Sequence, residues 1–572
     1  MAAALLLAFL APANALAHAQ LEGTVPLRGA VVKREPPAVI FRFDEPVEGN
    51  FGAVRVYDAN GSRVDEGDAF HPGGEGPRLG VHLKPGLPDG SYTATYRVIS
   101  ADGHIVSSGF VFSIGKAGKT PKETVSELTA GSGSGPVTET AFGLARGLQY
   151  VAIALAVGGL AFLLLAWLPG LALVGGEGEG WSRAAGAFAM RLRKVALLAA
   201  ALGAISAAAG VVLEGAEAAG IPGFSALKET IVRETLETKF GTIWGLAVLA
   251  WIAFGLLAAV LPPPSGGRSL GWGRALPLAA PLAYVVLAPA LAGHGSTQSP
   301  VLLNFPVNVV HVAAMAVWLG GLATLLFVAP RGTRELEAGD RGRLLAAALS
   351  RFSGVALISV GAILLTGLIQ AYVYVRRLDA LIETGYGRAV LVKFILLMVL
   401  IGIGAYNRRR SVPRLNKIAA GGESPGRAGL LLRRALRAEV ALLVVVLGVT
   451  AALASYAPPI SAQSGPFSAE STFGPIQLEM SVEPARVGAN QIHIYLFDAK
   501  SGAPFARTKQ LQANATLPEK NISLPLEPQL SGPGHYTIPG ALLNASGEWR
   551  ITLTVRVSAF TEYTKTIEVP VH

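Results

Sequence analysis

The sequence predicts a multi-domain membrane protein in which an eight-helix transmembrane domain lies between two β-sandwiches, one N-terminal and one C-terminal. Composition supports the membrane class, because mean hydropathy is +0.47 and only 15% of residues are charged, against about 25% in soluble domains. The order of patterns supports the architecture. Along the 572 residues, the terminal regions alternate apolar and polar residues, whereas the middle is continuously apolar.

Residues 1–17 predict a secretory signal. Leu5 to Leu10 is an apolar core too short to span a bilayer, and Ala15-Leu16-Ala17 has the small-x-small pattern of a signal-peptidase site. No Lys or Arg precedes the core, so the usual basic region is missing. Cleavage after Ala17 leaves His18 as the first residue of the mature chain.

Residues 18–115 predict a small antiparallel β-sandwich. The stretches AVIFRFDEPV, GAVRVYDANG and GSYTATYRVIS alternate apolar and polar residues, and Asp-Ala-Asn-Gly and Pro-Asp-Gly turns punctuate them. Short strands at this spacing are typical of a sandwich. Residues 116–140 are rich in Gly, Ser, Thr and Pro, and this composition predicts a flexible linker.

Residues 141–457 contain eight apolar segments, each about as long as the twenty residues that a bilayer requires. The segments are residues 142–168, 194–213, 241–262, 275–293, 305–329, 352–375, 389–406 and 435–456. We therefore predict eight membrane-spanning helices.

Charge in the connections predicts the orientation of these helices. Basic residues concentrate in the connections after the first, third, fifth and seventh segments: Arg183, Arg191, Arg193 and Lys194; Arg268 and Arg274; Arg331, Arg334, Arg341 and Arg343; and Arg408, Arg409, Arg410, Arg414 and Lys417. The positive-inside rule places these connections in the cytoplasm and both termini outside, in agreement with the secretory signal. The net charge of +10 is therefore a topology signal and does not indicate nucleic-acid binding.

The C-terminal region, residues 462–572, again has the alternation of β-strands. IQLEMSV, QIHIYLFDA, EWRITLTVRV and TKTIEVPV predict a second extracytoplasmic sandwich. His493 and His535 lie in this region, and we expect them to be structural or surface residues.

The membrane region contains an internal similarity. YVAIALAVGGLAFLLLAWLPG, from Tyr150, resembles HVAAMAVWLGGLATLLFVAPRG, from His311, and both contain GGLA. ETKFGTIWG, from Glu237, resembles ETGYGRAVL, from Glu383, at the start of the third segment of each half. The pattern favours a parallel duplication of four plus four helices. Aligned on GGL, His311 lies opposite Gln149.

The N-terminal domain offers a set of metal ligands. The chain contains no cysteine, which excludes thiolate sites and disulfides. An N-terminal His18 can bind one metal through its α-amine and its imidazole, an arrangement called a histidine brace. Asp102 and His104 point to one face of an extended segment. Amine, imidazoles and carboxylate form an N,O set that suits Cu(II), although Asp-Gly-His alone is more typical of a turn.

The stretches YRVISADGHIVSSGFVFSIG (from Tyr96) and FDEPVE (from Phe43), with an N-terminal His18, closely resemble the periplasmic copper-binding CopC family. The following helices resemble CopD, and the tail resembles the YtkA-like domain of CopC–CopD fusions. The resemblance implies that His18, Asp102 and His104 bind Cu(II) and that Glu45 accepts a hydrogen bond from the site.

One departure from the family concerns methionine. Some CopC proteins hold Cu(I) in a Met-rich loop, but no Met lies between His18 and Gly115. We therefore predict no thioether Cu(I) site in this domain. His71 and His82, which occupy the loop region instead, are expected to be surface residues.

Ionisable residues are few in the membrane segments, where burial of polar groups is costly and usually marks a pathway. His294 ends the fourth segment and His311 lies early in the fifth. Met315 is one helical turn deeper than His311 on the same face. These three residues are candidates for a transmembrane copper path, while an ordinary loop role for His294 and a packing role for His311 remain open.

The leading prediction is a copper-handling protein of the bacterial inner membrane and not an enzyme. The outer domain binds Cu(II), and the resemblance to CopD implies transfer of copper into or across the membrane, with uptake as the expected direction. The partners expected are copper ion and the lipid bilayer, with a periplasmic copper carrier as a further candidate and no nucleic acid. One alternative is a membrane redox protein in which His294 and His311 ligate haem. Another is a brace-type copper oxygenase, which Asp102 disfavours because it fills the position that oxygen would need.

Overall fold

The computed structural model divides the chain into two compact units. A helical unit contains residues 135–216 and 222–459, and a β unit contains residues 16–134, 217–221 and 460–572. The residues described are 19, 21–27, 30–101, 103, 105–116, 134–176, 178–261, 272–376, 378–420, 426–453, 467–483, 485–500, 504–505 and 507–571.

The N-terminal β domain consists of two sheets. One sheet has the order β1-β3-β6, and the other has the order β2-β8-β7-β4, with β5 also paired to β7. The strands are β1 (Leu21–Val25), β2 (Val31–Val32), β3 (Ala38–Phe43), β4 (Val47–Glu48), β5 (Val54–Tyr57), β6 (Arg78–His82), β7 (Gly90–Ser100) and β8 (Ile105–Ile114). The Phe41 ring lies 5.0 Å from the Tyr96 ring and 5.4 Å from the Phe110 ring. The two sheets therefore pack on each other through aromatic side chains.

The C-terminal β domain also has two sheets, with the orders β14-β15-β11-β10-β9 and β13-β12-β16-β17. Its strands are β9 (Phe467–Phe473), β10 (Ile476–Glu483), β11 (Gly488–Asp498), β12 (Gln510–Leu517), β13 (Ile522–Leu526), β14 (Gln529–Gly532), β15 (His535–Leu543), β16 (Gly547–Arg556) and β17 (Glu562–Val571). Alternate residues such as Leu478, Ile494 and Ile551 are fully buried in a core of their own. Trp549 joins this core and donates its indole N–H to the carbonyl of Ala545 (2.7 Å).

The helical unit contains long apolar helices joined by short ones. The helices are α1 (Pro136–Phe162), α2 (Leu168–Val174), α3 (Glu179–Ala219), α4 (Glu229–Glu237), α5 (Lys239–Val260), α6 (Trp272–Ala292), α7 (Val301–Ala323), α8 (Ala329–Gly332), α9 (Ala338–Val375), α10 (Ala380–Glu383), α11 (Gly385–Tyr406), α12 (Val412–Ala420) and α13 (Gly426–Leu453). Helix α1 begins at Pro136, inside the predicted linker, because proline is favoured in a first helical turn.

Six helical segments in the described part of the chain are long and apolar enough to cross a bilayer. They are Pro136–Val174, Glu179–Ala219, Lys239–Val260, Val301–Gly332, Ala338–Val375 and Gly385–Ile418. A shorter apolar helix covers Leu276–Ala292, and the last predicted segment, 435–456, overlaps α13. The described residues therefore contain the six to seven clearly apolar helices of a multi-pass membrane protein, and the count of eight spans stays a prediction.

The sequence predicts that the first group of basic residues lies in a connection between helices, but in the structure these residues lie within helix α3. Arg183, Arg191, Arg193 and Lys194 belong to this helix, which has 41 residues. At about 1.5 Å per residue it is roughly twice as long as the hydrocarbon core is thick. Its N-terminal turns therefore extend beyond the predicted apolar segment 194–213. Arg183, Arg191 and Arg193 lie on these turns, and Lys194 is the first residue of the segment.

The repeated GGLA sequences meet where α1 and α7 pack together. A β-carbon placed on Gly320 would lie 1.7 Å from the carbonyl oxygen of Ala154, and one on Gly158 would lie 2.4 Å from that of Ala316. Only glycine allows two helix backbones to approach this closely. The similar sequences thus form the central contact of the helical unit.

Other features occur in corresponding places of the two halves. Helices α1 and α7 each continue through one π-helical turn, Leu163–Trp167 and Thr324–Val328, into a short helix with proline in its first turn. Helices α5 and α11 each begin with a capping threonine, and the Thr238 and Thr384 hydroxyls accept backbone N–H groups at 3.0 and 2.9 Å. These matched features support the predicted duplication.

We expect Gly320→Ala to lower the midpoint of thermal unfolding of the protein in detergent. The added methyl group must push α7 away from α1, and overpacking of this kind costs about 1–3 kcal/mol. Gly361→Ala is the matched control, because a β-carbon at that position of α9 has nothing within 4 Å. Equal midpoints for the two variants would show that the contact is looser than described.

Candidate functional site

The predicted Cu(II) ligands His18, Asp102 and His104 lie outside the described residues, so this ligand set stays a prediction. No group of three or more His, Cys, Asp or Glu side chains that could hold a metal occurs among the residues that are described. The strands on either side of the predicted ligands are described, and they define one end of the N-terminal β domain.

Strands β7 and β8 form a hairpin, and the sequence that connects them contains Asp-Gly-His. Strands β7 and β8 pair in antiparallel register up to Ile99 and Ile105, so only residues 100–104 connect the last pair. Gly103 has a φ of 86° and donates its N–H to the carbonyl of Ser100 (2.9 Å). This left-handed conformation explains the glycine, because other residues adopt it at an energetic cost.

Glu45 contacts the segment that connects β7 to β8. It lies between β3 and β4, and the pairing of Val47 with Ser100 brings it next to the connection. Its Oε1 accepts the backbone N–H of Ala101 (3.3 Å). The carboxylate thus contacts the backbone of Ala101, and the expected hydrogen bond from the copper site to Glu45 stays a prediction.

The start of β1 reaches the same end of the domain. Leu21 pairs with Phe43, the last residue of β3, and Ala19 is buried in the core of the domain at 3% exposure. The two described residues at the start of the domain, Ala19 and Leu21, are therefore held by the core and by β3. The pairings of Leu21 with Phe43 and of Val47 with Ser100 place the start of β1 and the end of β7 next to the two ends of the segment that contains Glu45.

This end of the domain carries several acidic groups. Asp44 and Glu48 flank Glu45 in sequence, and negative charge favours the approach of a cation. Arg486 of the C-terminal β domain lies within electrostatic range of Asp44 and Glu22. Burial lowers the pKa of Arg486, whereas the negative charges of Asp44 and Glu22 act to raise it.

His71 and His82 each have a local partner. His71 Nδ1 lies 2.7 Å from the carbonyl of Arg78. His82 Nδ1 lies 2.6 Å from an Asp68 carboxylate oxygen, and its ring stacks on Phe70 at 4.3 Å. Weak burial acts to raise the pKa of Asp68, but the hydrogen bonds from His82 outweigh it and leave that pKa lowered. The Nδ1 atom of each imidazole therefore has a partner within the protein, and neither contact requires a metal.

His311, on α7, faces α9 in the helical unit. Its Nδ1 lies 2.9 Å from Thr366 Oγ1, and Gly367 leaves space beside its Cε1. Because the Thr366 hydroxyl donates to the carbonyl of Ala362 (2.6 Å), we assign the proton to His311 Nδ1. The lone pair is then on Nε2, the nitrogen available to a metal.

Gln149 occupies the corresponding place in the first half and is hydrogen-bonded at both ends. With its amide oxygen towards Trp251, it accepts the indole N–H at 2.9 Å and donates to Ser206 Oγ at 2.9 Å. Its exposure is 3%. The contact of Gln149 with Ser206 of α3 parallels that of His311 with Thr366 of α9.

The other two residues of the predicted copper path are His294 and Met315. His294 lies in a short 3-10 turn after α6, and its ring centroid is 6.0 Å from that of Tyr374. Met315 lies one turn along α7 from His311 and packs against the hydrophobic core. The structure keeps His311 and Met315 on one helix.

Two charged residues of the helices, Lys393 and Glu439, were not identified from the sequence. Lys393 of α11 lies within electrostatic range of His311. Glu439 of α13 is 4% exposed and accepts a hydrogen bond from the Asn407 amide (2.7 Å). A single charge in an apolar run is the signal that could have identified them.

Three protein-family models match separate parts of the chain. A CopC domain matches residues 21–115, a copper resistance protein D-like N-terminal domain matches residues 137–304, and copper resistance protein D matches residues 346–453.

The chain is also similar to individual proteins. It is 27% identical to the copper transport protein CutJ of Bacillus subtilis, over 98% of each chain. It is 25% identical to copper resistance protein D of Pseudomonas syringae pv. tomato, over 40% of this chain and 71% of that protein. The crystal structure of CopC from Methylosinus trichosporium OB3b is 28% identical and covers 19% of this chain and 98% of its own, with a TM-score of 0.16.

Proposed function

Because this chain is a CopC–CopD fusion of the copper resistance and copper transport proteins, we propose that its N-terminal domain binds Cu(II) outside the cell and supplies copper to the helical domain. The observation that carries this proposal is the order of the domains. A copper-binding CopC domain precedes both CopD-type regions in one chain, so cargo bound outside is tethered to the membrane domain.

The proposed Cu(II) ligands are the His18 amine and imidazole, the His104 imidazole and the Asp102 carboxylate. Support comes from the described frame around them. The anchored Ala19, the β7–β8 hairpin and Glu45 occupy one end of the domain. Three nitrogens and one oxygen match the tetragonal N,O geometry of Cu(II).

We place both β domains outside the bacterial inner membrane, with eight helices crossing it. The positive-inside distribution of Arg and Lys supports this orientation. Copper would move from the outer domain into or across the bilayer, in the direction of uptake.

The proposed copper path runs through His294, His311 and Met315. His311 supports it best, since Nδ1 is held by Thr366 and Nε2 is left to bind an ion. An imidazole followed by a thioether suits copper that becomes Cu(I) along the path. This is transport and not catalysis. The alternative, haem bound by His294 and His311, predicts a Soret band in the purified protein.

The first test concerns the brace. We expect one residue added before His18, or acetylation of its amine, to weaken Cu(II) binding at least a hundredfold in the purified full-length protein. His104→Ala and Asp102→Ala should each weaken it as well, because each removes a ligand. His82→Ala is the control, since that imidazole is paired with Asp68. Unchanged affinity after the extension would reject the brace.

The second test concerns pH. Free imidazoles have pKa values of about 6.5 and free α-amines of about 7.7–8.0, and the ligands must lose their protons to bind metal. Cu(II) affinity should therefore fall steeply between about pH 7.5 and pH 5 and recover on neutralisation. Equilibrium titration with a competing chelator measures this change. Constant affinity over that range would contradict a site with three nitrogen ligands.

The third test separates the two halves of the helical unit. His311→Ala should abolish copper accumulation by cells and leave Cu(II) binding by the outer domain intact. Gln149→Ala, at the duplicated position, should reduce accumulation much less once uptake is normalised to folded protein in the membrane. Equal losses from both substitutions, or no loss from His311→Ala, would leave His311 as a packing residue.

A further inference from the structure

Three polar side chains form a stripe along α9. Thr366, Gln370 and Tyr374 follow one another at a spacing of four residues, so they lie on one side of the helix within about 12 Å of its length. Thr366 contacts His311, and the ring centroid of Tyr374 is 6.0 Å from that of His294. The stripe therefore runs between the two histidines, and Gln370 lies midway along it.

Two atoms of this stripe have no hydrogen-bond partner in the part of the chain that the structure describes. They are Gln370 Nε2 and the Tyr374 hydroxyl oxygen, and both atoms are buried. The whole Tyr374 side chain is buried as well. Polar groups at membrane depth are stable only when they are hydrogen-bonded, and buried polar atoms without a protein partner bond to water. The two groups therefore indicate a hydrated place between the helices.

A second polar stripe lies on α7, which packs against α9. Asn304, Asn308 and His311 recur at a spacing of three to four residues, so they share one face of α7. Asn304 is fully buried, and its Oδ1 has no hydrogen-bond partner within the described ranges. A β-carbon on Gly295, in the 3-10 turn after α6, would lie 3.3 Å from that of Asn308. This stripe also leads from the turn after α6 to His311.

The first half of the helical unit has a corresponding stripe on α3, and its polar side chains have partners. It begins at Ser206, which contacts Gln149, and the spacing of four residues leads to Gly210 and Glu214. Glu214 is 1% exposed, and its Oε2 lies 3.9 Å from Arg146 Nη2. Both polar side chains of the α3 stripe are therefore paired within the protein.

A tryptophan packs directly on the α3 stripe. A β-carbon on Gly210 would lie 2.5 Å from the Trp244 ring, so the indole reaches the helix backbone. The matching sequences at the starts of α5 and α11 place Val390 opposite Trp244, and Gln370 occupies the place of Gly210. The second half therefore has a smaller apolar side chain and an amide where the first half has an indole packed on glycine.

We propose that the stripes on α7 and α9 line a water-filled passage that leads from the turn after α6 to His311 and admits copper as a hydrated ion. The proposal rests on the copper path proposed above and adds Gln370 and Tyr374 to it. Water satisfies their amide and hydroxyl groups, and these groups replace water ligands of the ion as it moves inward. The ion therefore reaches His311 without losing all of its hydration in one step.

The chain contains no cysteine, so single-cysteine variants give a direct test. In spheroplasts that carry the full-length protein, a charged, membrane-impermeant methanethiosulfonate is added outside. Gln370→Cys and Tyr374→Cys should react with it at least tenfold faster than Leu368→Cys, because the reactive thiolate forms in water and not in lipid. Leu368 is the matched control, since it lies at the same depth of α9 and is 52% exposed on the surface of the helical unit. Equal rates for the three folded variants would overturn the passage.

Hydroxyl-radical footprinting of the unsubstituted protein in lipid vesicles keeps the test valid if the cysteine variants fail to fold. The radicals form from water, so Tyr374 should be modified at least tenfold faster than the fully buried Trp251 of the first half. Trp251 is a stringent control, because indole reacts with hydroxyl radicals at least as fast as phenol does. Equal protection of the two side chains would overturn the proposal.

The entry of copper is tested by substitution of Gln370. Gln370→Leu should lower copper accumulation by cells at limiting copper at least fivefold, whereas Gln370→Asn, which keeps an amide, should retain at least half of it. Unchanged accumulation in Gln370→Leu cells would overturn the role of the passage in copper entry. Failure of the His311 path is a separate result, since it would appear as unchanged accumulation in His311→Ala cells and would not alter the labelling at positions 370 and 374.

Discussion

The close contact of α1 and α7 at Gly158 and Gly320 is the constraint on which the helical unit depends. Two helix backbones meet where a single added methyl group would overlap a carbonyl oxygen. Without water in the bilayer there is little hydrophobic drive between helices, so such packing of small residues supplies much of the association. The contact fixes where the residues before each GGLA sequence face, and therefore where Gln149 and His311 lie.

The same scaffold carries different chemistry in its two halves. Gln149 makes hydrogen bonds through both its oxygen and its nitrogen and connects α1 to α3 and α5. His311 contacts Thr366 through Nδ1, and the proposed path uses its Nε2. The predicted duplication would allow one copy to serve packing and the other the proposed path, because Gln149 and His311 each contact a hydroxyl group of another helix. The difference between an amide and an imidazole at that position is the physical basis for assigning the path to the second half.

Much of this architecture could be predicted from the sequence because its signals are local. The length of apolar runs identified the helices, and strand alternation identified both β domains. The extended conformation expected between Asp102 and His104 is wrong at Gly103, whose φ is 86°. The π-helical turns could not be predicted, since they depend on how each helix packs. The contact between His493 Nδ1 and His535 Nε2 (3.1 Å) could not be predicted either, because strand register over 42 residues brings these buried imidazoles together, and no local pattern shows that register. The prediction for His18, Asp102 and His104 depends on a cleavage site and a family resemblance. The structure describes the neighbouring strands β1, β7 and β8 but not these three residues.

The measurement that tests the central account most directly is the identity of the first residue of the mature protein, determined together with the coordination of its bound Cu(II). Mass spectrometry of the protein isolated from membranes gives the N-terminus, and electron paramagnetic resonance of the copper-loaded sample gives the number of coordinated nitrogens. The account predicts an unblocked His18 and coupling to three nitrogens. A mature chain that begins elsewhere, or a blocked amine with an unchanged copper spectrum, would contradict it.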